Sequence, residues 1–268
     1  MRLACAVTTY ESSSGPIIFR DGKLKENMKI MKKYGFSGMD LFIKKTEKPQ
    51  ILEYRKMLED NDMRVATLFA IYLGESGVKL TDPDPTHIAK YIDLMKEQLE
   101  NARDIGALGL GLGYIRGCYY ENETEQDALR RLAEVLHVLG DYADDIGTKI
   151  LLEPINRYEI NTLNRAADAV DYIKNNQLKG IKLHLDMFHM NIEDKSICSA
   201  ITYAKDLIGN LHISSSNRYA VGTGHFNFKE VIACLKENGY DGFLTLEAFS
   251  DNPEETLRMT AEHLKQYL

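Results

Sequence analysis

The chain has 268 residues, 44% hydrophobic and 27% charged, enough for one large core or two small ones. Its formal net charge of −7 argues against a nucleic-acid backbone or an anionic membrane surface as the main partner. Four scattered cysteines (Cys5, Cys118, Cys198, Cys234) with no CxxC pair, and an N-terminus MRLACAVTTY lacking an apolar signal core, fit a reduced, soluble cytoplasmic protein with no membrane span.

Short β-like runs alternate with helical patterns from one end to the other. In chain order the expected strands are Leu3–Thr8, Gly38–Ile43, Arg64–Ala70, Ala107–Gly113, Lys149–Glu153, Ile181–Asp186, Asn210–Ser214 and Gly242–Glu247. The helices between and after them fall near Leu24–Tyr34, Pro49–Asn61, Thr86–Ile105, Glu123–Ile146, Thr162–Asn176, Ser196–Leu207, Phe228–Asn238 and Pro253–Tyr267. Thr162 and Asn252 are expected to cap their helices, and glycine closes the runs KKYGFSG, ARDIGALG and KENGYDG. No linker or change of composition marks a boundary, so residues 1–268 read as one domain.

Eight strand–helix units predict a (β/α)8 TIM barrel. A doubly wound sheet would want a glycine fingerprint after the first strand, where the sequence reads TTYESSSGP. The later GLGLGYIRG places Arg116 where the last glycine of that pattern belongs, and is better read as a tight barrel strand of small residues.

The ends of the last four strands carry the chemistry. Glu153, Asp186, His212 and Glu247 follow one another at intervals of about one strand–helix unit, so they converge at the C-terminal mouth of a barrel. One acid at a strand end is commonly a helix cap, and one histidine among apolar neighbours is commonly a core residue. Four donors on four consecutive strands fit a shared cation, which relieves the mutual repulsion of three carboxylates. Three oxygen donors and one imidazole suit Mn²⁺ first, with Mg²⁺ or Co²⁺ possible, whereas zinc would attract more His or Cys. Glu159, His189 and Arg218 lie a few residues past three of these ends and are expected to face a substrate.

The segments LLEPINRYE, HLDMFHMNIED, HISSSNRYAVGTGHFNF and LTLEAF resemble the ketose 3-epimerases, a group including the D-tagatose, D-psicose and L-ribulose 3-epimerases within the xylose isomerase-like barrel superfamily. The resemblance is strongest from residue 149 to 249. It implies one divalent metal on Glu153, Asp186, His212 and Glu247, with Glu159, His189 and Arg218 at the carbonyl end of a sugar. It also implies a homodimer or homotetramer with a role in carbohydrate metabolism.

The residue types suit that chemistry. Removing a proton next to a ketone leaves an enediolate, which a metal stabilises, and inverting C3 needs a group on each face. Glu153 is assigned to abstract the proton and Glu247 to deliver one. The chain has no tryptophan, so Tyr10, Phe69, Tyr114 or Phe249 are candidates for the aromatic wall of a sugar site. Arg116 is expected near the mouth, able to pair with a carboxylate or phosphate on the substrate's far end, and GTGHFNF offers backbone N–H groups to a phosphate. The alternatives are an aldose–ketose isomerase resembling hydroxypyruvate isomerase, an epimerase of a phosphorylated ketose, a nuclease resembling endonuclease IV, and a non-catalytic sugar-binding barrel. The negative charge and the distribution of histidines disfavour the nuclease.

Overall fold

Eight parallel strands close into a barrel in sequence order, the architecture expected from the alternation of strand and helix patterns. The computed structural model describes residues 1–13 and 15–268. The strands are β1 (Arg2–Thr8), β2 (Phe36–Ile43), β3 (Arg64–Ala70), β4 (Gly109–Leu112), β5 (Ile150–Leu152), β6 (Ile181–Asp186), β7 (Ile208–Ile213) and β8 (Phe243–Leu246). The seam between β1 and β8 sets Arg2 opposite Phe243 and Cys5 opposite Leu246. The helices are α1 (Leu24–Lys33), α2 (Lys48–Glu59), α3 (Ile71–Glu75), α4 (Pro85–Ile105), α5 (Glu125–Asp145), α6 (Ala166–Asn175), α7 (Met187–Glu193), α8 (Ile197–Ala204), α9 (Phe228–Glu237) and α10 (Pro253–Leu264). Among the described residues, no helix is long and apolar enough to cross a membrane.

Local chemistry explains most element ends. Asn252 accepts the N–H of Glu255, Pro253 starts α10, and two glutamates occupy its first turn. Gly106 closes α4 in the left-handed region at φ 79°, which costs a glycine nothing. One expected cap is corrected. Thr162 does not begin α6: its hydroxyl donates to the Gly117 carbonyl, and the helix starts four residues later at Ala166. The carbonyls of Thr162 and Leu163 accept from the Arg116 guanidinium, and Leu163 sits at φ 45°, so neither residue can open a helix.

Asp194 packs at the start of α6, its carboxylate facing the N–H of Ala166. Burial is the main cause that raises its pKa to about 6, so its contribution to stability is present in acid and is lost as pH rises from about 4 through 6. Asp194→Asn should therefore add about 1–2 kcal/mol at pH 7, a figure discounted for solvent screening, and nothing at pH 4. Urea unfolding at the two pH values checks this.

The interior of the barrel is partly polar. Asp40, Thr67, His184, Asn210, His212 and Thr245 are all buried inside it. Asp40 accepts from the backbone N–H of Thr67 at 3.0 Å and from the amide of Asn210 at 3.0 Å. The Asn210 amide also lies within reach of the Thr67 and Thr245 hydroxyls. Asp40, Thr67, Asn210 and Thr245 satisfy one another in this network, whereas Nδ1 of His184 and of His212 has no hydrogen-bond partner among the described residues.

Candidate metal centre and substrate pocket

Asp186 is the last residue of β6 and His212 lies within β7. Glu153 and Glu247 stand one residue beyond β5 and β8. Their backbone N–H groups still bond to Leu112 and Ile213 on the neighbouring strands, which fixes where each side chain points. The four side chains meet. Nδ1 of His212 lies 3.5 Å from Glu247 Oε2, 3.7 Å from Glu153 Oε1 and 3.9 Å from Asp186 Oδ2.

That nitrogen is buried and makes no hydrogen bond among the described residues. A buried, unpartnered ring nitrogen aimed at three carboxylates is a donor set suited to a cation. Octahedral ligands about 2.1 Å from an ion stand about 3 Å apart along an edge and about 4.2 Å apart across it. Ligand atoms of Glu153, Asp186 and His212 all lie within 4.8 Å of one another, close enough to share a single divalent ion, while Glu247 stands beside them with its carboxylate paired to Arg218 at 2.7 Å. Burial would lower the His212 pKa, but the charge of Glu247, the hydrogen bond to Asp40 and the nearby Glu153 carboxylate outweigh it and hold it well above the ordinary value. The pocket thus favours positive charge at this nitrogen.

Below the ring, Nε2 of His212 meets Asp40 Oδ2 at 2.8 Å. A carboxylate there fixes the tautomer, holding the proton on Nε2 and leaving Nδ1 as a donor when a metal is bound. His184 lies beside His212 with ring centres 4.0 Å apart and planes tilted by 57°, and burial, followed by the charge of His212, pushes its pKa well down. Asp40 and His184 were not picked out from the sequence. The signal was present: GMDLFI puts an aspartate inside an apolar strand, and in KLHLD the histidine shares a strand face with Asp186.

Above the centre, Arg218 donates to Glu247 at 2.7 Å and approaches Asp186 at 3.4 Å and Glu159 at 3.8 Å. Burial opposes its charge, but Glu247 and then Asp186 outweigh it and raise its pKa. Its backbone sits at φ 59°, a conformation that costs a non-glycine residue of the order of 1–3 kcal/mol and that concentrates at functional sites. The Phe249 N–H bonds to the Arg218 carbonyl, and the guanidinium lies 4.5 Å from the centre of the Phe188 ring. Both contacts hold the side chain over the mouth.

Asn156, also missed from the sequence, orients two of the expected substrate-facing residues. Its amide donates to Glu159 Oε1 at 2.7 Å and to His189 Nδ1 at 2.8 Å, while its oxygen accepts the Tyr158 N–H. With Nδ1 accepting, the ring proton of His189 lies on Nε2, which faces Asp186 at 3.6 Å and Glu153 at 3.9 Å. Tyr114 donates to the other oxygen of Glu159. Burial raises the Glu159 pKa, but the hydrogen bonds from Tyr114 and Asn156, then the charges of His189 and Arg218, bring it below the ordinary value.

A cavity of about 610 Å³ opens above this floor, lined by Glu153, Glu159, His189, Arg218 and Glu247 on one side. The four aromatic candidates Tyr10, Phe69, Tyr114 and Phe249 also line it. The glycines of β4 now have a reason. A Cβ at Gly111 would fall 2.2 Å from the Phe69 ring, and one at Gly113 would fall 2.9 Å from Glu153 Oε2. Glycines on β4 and one residue past its end make room for the side chains from β3 and from the end of β5.

Two sequence expectations are corrected. Arg116 does not reach the cavity; it is fully buried, donating to the carbonyls of Glu153 at 2.6 Å and Thr162 at 2.7 Å. It clamps the loops after β4 and β5 from below, and burial pushes its pKa down to about 10. Arg116→Met should strand those carbonyls and lower unfolding free energy by about 2–6 kcal/mol in urea titrations. The GTGHFNF loop does not offer its N–H groups to a phosphate either. Those of Gly222 and Gly224 are taken by the Ser215 hydroxyl and that of His225 by Ser216.

The model of the xylose isomerase-like TIM barrel family matches residues 28–267. An L-ribulose 3-epimerase of Methylomonas sp. (strain DH-1) is 29% identical over 197 residues, 73% of this chain and 68% of that protein. A 3-dehydro-D-guloside 4-epimerase of Escherichia coli (strain K12) is 27% identical over 229 residues, 83% of this chain and 86% of that one. A solved L-ribulose 3-epimerase superposes with a TM-score of 0.83 at 23% identity, covering 100% of this chain and 94% of its own, a likeness of fold. The chain therefore belongs to the xylose isomerase-like TIM barrel family.

Proposed function

We infer that this chain is a carbohydrate epimerase, an isomerase that inverts C3 of a ketose with the help of one divalent metal ion. The observation that carries the reading is the unpartnered Nδ1 of His212 facing Glu153, Asp186 and Glu247 at the floor of a cavity of about 610 Å³. Relatives named as epimerases of ketoses and of a keto-glycoside support the reaction class.

Glu153, Asp186, His212 and Glu247 are assigned as the residues that hold the metal. A bound divalent ion supplies Lewis-acid stabilisation for the negative charge that develops when a carbon acid next to a ketone loses its proton. Glu153 takes the C3 proton on one face of the sugar, and Glu247, from a non-adjacent strand, returns a proton on the other. The roles exchange in the reverse direction. The Nε2 proton of His189 and the guanidinium of Arg218 donate to the oxygens at the carbonyl end. Glu159, held ionised, accepts from a substrate hydroxyl.

Mn²⁺ is the proposed ion, since three carboxylates and one imidazole are mostly hard donors. Four free cysteines support a cytoplasmic setting. Exposed aromatic side chains beside the mouth, Tyr158, Tyr219 and Phe249, support a homo-oligomer.

The test is to strip the protein with a chelator, reload it with Mn²⁺, and follow ketoses in D₂O by proton NMR. The expected result is deuterium at C3 together with the C3 epimer, both lost without metal. Deuterium at C1 or C2 with formation of an aldose would mark an aldose–ketose isomerase instead.

A further inference from the structure

The two halves of the cavity are unlike. The reacting groups all come from β5 to β8 and the loops after them. The half built by β1 to β4 and their loops is walled mainly by Ile17, Phe42, Phe69, Ile71 and Ile115. Phe42 and Phe69 form a stacked pair, ring centres 4.6 Å apart and planes 11° from parallel, and Phe69 continues to the His212 ring at 6.2 Å. Polar side chains on this half are few among the described residues: Tyr10, Ser12, Glu75 and Tyr114, whose hydroxyl is already bonded to Glu159.

Size is the second observation. At the liquid's share of about 30 Å³ per molecule, a cavity of about 610 Å³ has the volume of roughly twenty waters. A free ketohexose has twelve non-hydrogen atoms, and bonded atoms pack more closely than separate waters. It would leave much of the space empty, and its distal hydroxyls would meet an apolar wall, where each one buried without a partner costs free energy.

We propose that the substrate is an α-hydroxy-ketone sugar carried as a glycoside. The reacting unit lies against Glu153 and Glu247, and a glycosidically linked second ring or aglycone lies along the apolar half. A pyranose or aromatic aglycone presents C–H or ring faces to Phe42, Phe69 and the isoleucines, so apolar area is buried and no hydroxyl is stranded. The chemistry is unchanged: a C–H bond next to the ketone breaks toward one carboxylate, and a new one forms from the other on the opposite face. The inference rests on the epimerase reading and names its substrate class.

The test compares D-fructose and D-psicose with 6-O-α-D-glucosyl-D-fructose and phenyl 3-keto-glucoside, using the Mn²⁺-loaded protein in D₂O. At least one glycoside is expected to incorporate deuterium beside the ketone with kcat/KM tenfold or more above both free ketoses. Ile71→Trp, which narrows the apolar half, is expected to lower that glycoside's kcat/KM at least tenfold more than a free ketose's, with thermal melting showing that the variant is folded. Free ketoses handled as well as or better than both glycosides, or an equal effect of Ile71→Trp on both classes, overturns the inference and leaves the epimerase reading standing. Exchange with none of the four sugars overturns both.

Discussion

Glu153→Gln and Glu247→Gln should each lower epimerisation by about 10²–10⁴-fold, the usual contribution of a positioned acid or base. Glutamine keeps the shape of the side chain but can neither take the sugar's proton nor carry a charge toward the cation. The two variants should also differ from each other. With Glu247 replaced, Glu153 still removes a proton from its own face and can return one only there, so solvent exchange at C3 of that epimer falls less than inversion does. NMR in D₂O reads both rates in one experiment. A variant that keeps wild-type turnover would end the two-base scheme.

Asp40→Asn should weaken metal binding by about 10–100-fold, the usual effect of removing a carboxylate behind a metal-binding histidine. Asp40 does not line the cavity, yet its Oδ2 at 2.8 Å is what orients His212 Nε2. Asparagine can preserve contacts to Thr67 and Asn210, so the variant should fold while the imidazole loses its charged partner. Calorimetric titration of the chelator-treated protein with Mn²⁺ measures the effect. Unchanged affinity would reduce Asp40 to a packing residue.

The barrel was legible because its signals are long-range and repeated. Strands buried on both faces read as apolar runs such as Ile150–Leu152, and helices of ten residues or more show their period. Each proposed metal donor was legible as a charge or imidazole at the end of such a run, where a buried ionisable group needs a reason. The short helices α3 and α7 were not, since five and seven residues are too few to display helical periodicity.

Contacts between distant segments were also hidden. Arg116 read as a mouth residue because GYIRGCYY follows a strand, but its partners, the carbonyls of Glu153 and Thr162, are 37 and 46 residues away. Asn156 sits within the quoted EPINRYE, and its role depends on His189, which is 33 residues further along. Spacing along a chain shows which strand a residue ends. It does not show which loop folds back to bind it.

The most direct measurement is an anomalous difference map from crystals of the protein loaded with Mn²⁺. One strong peak per chain is expected, bonded to the carboxylates of Glu153, Asp186 and Glu247 and to Nδ1 of His212. A map with no peak there, and with the Arg218 guanidinium alone balancing Asp186 and Glu247, would contradict the account.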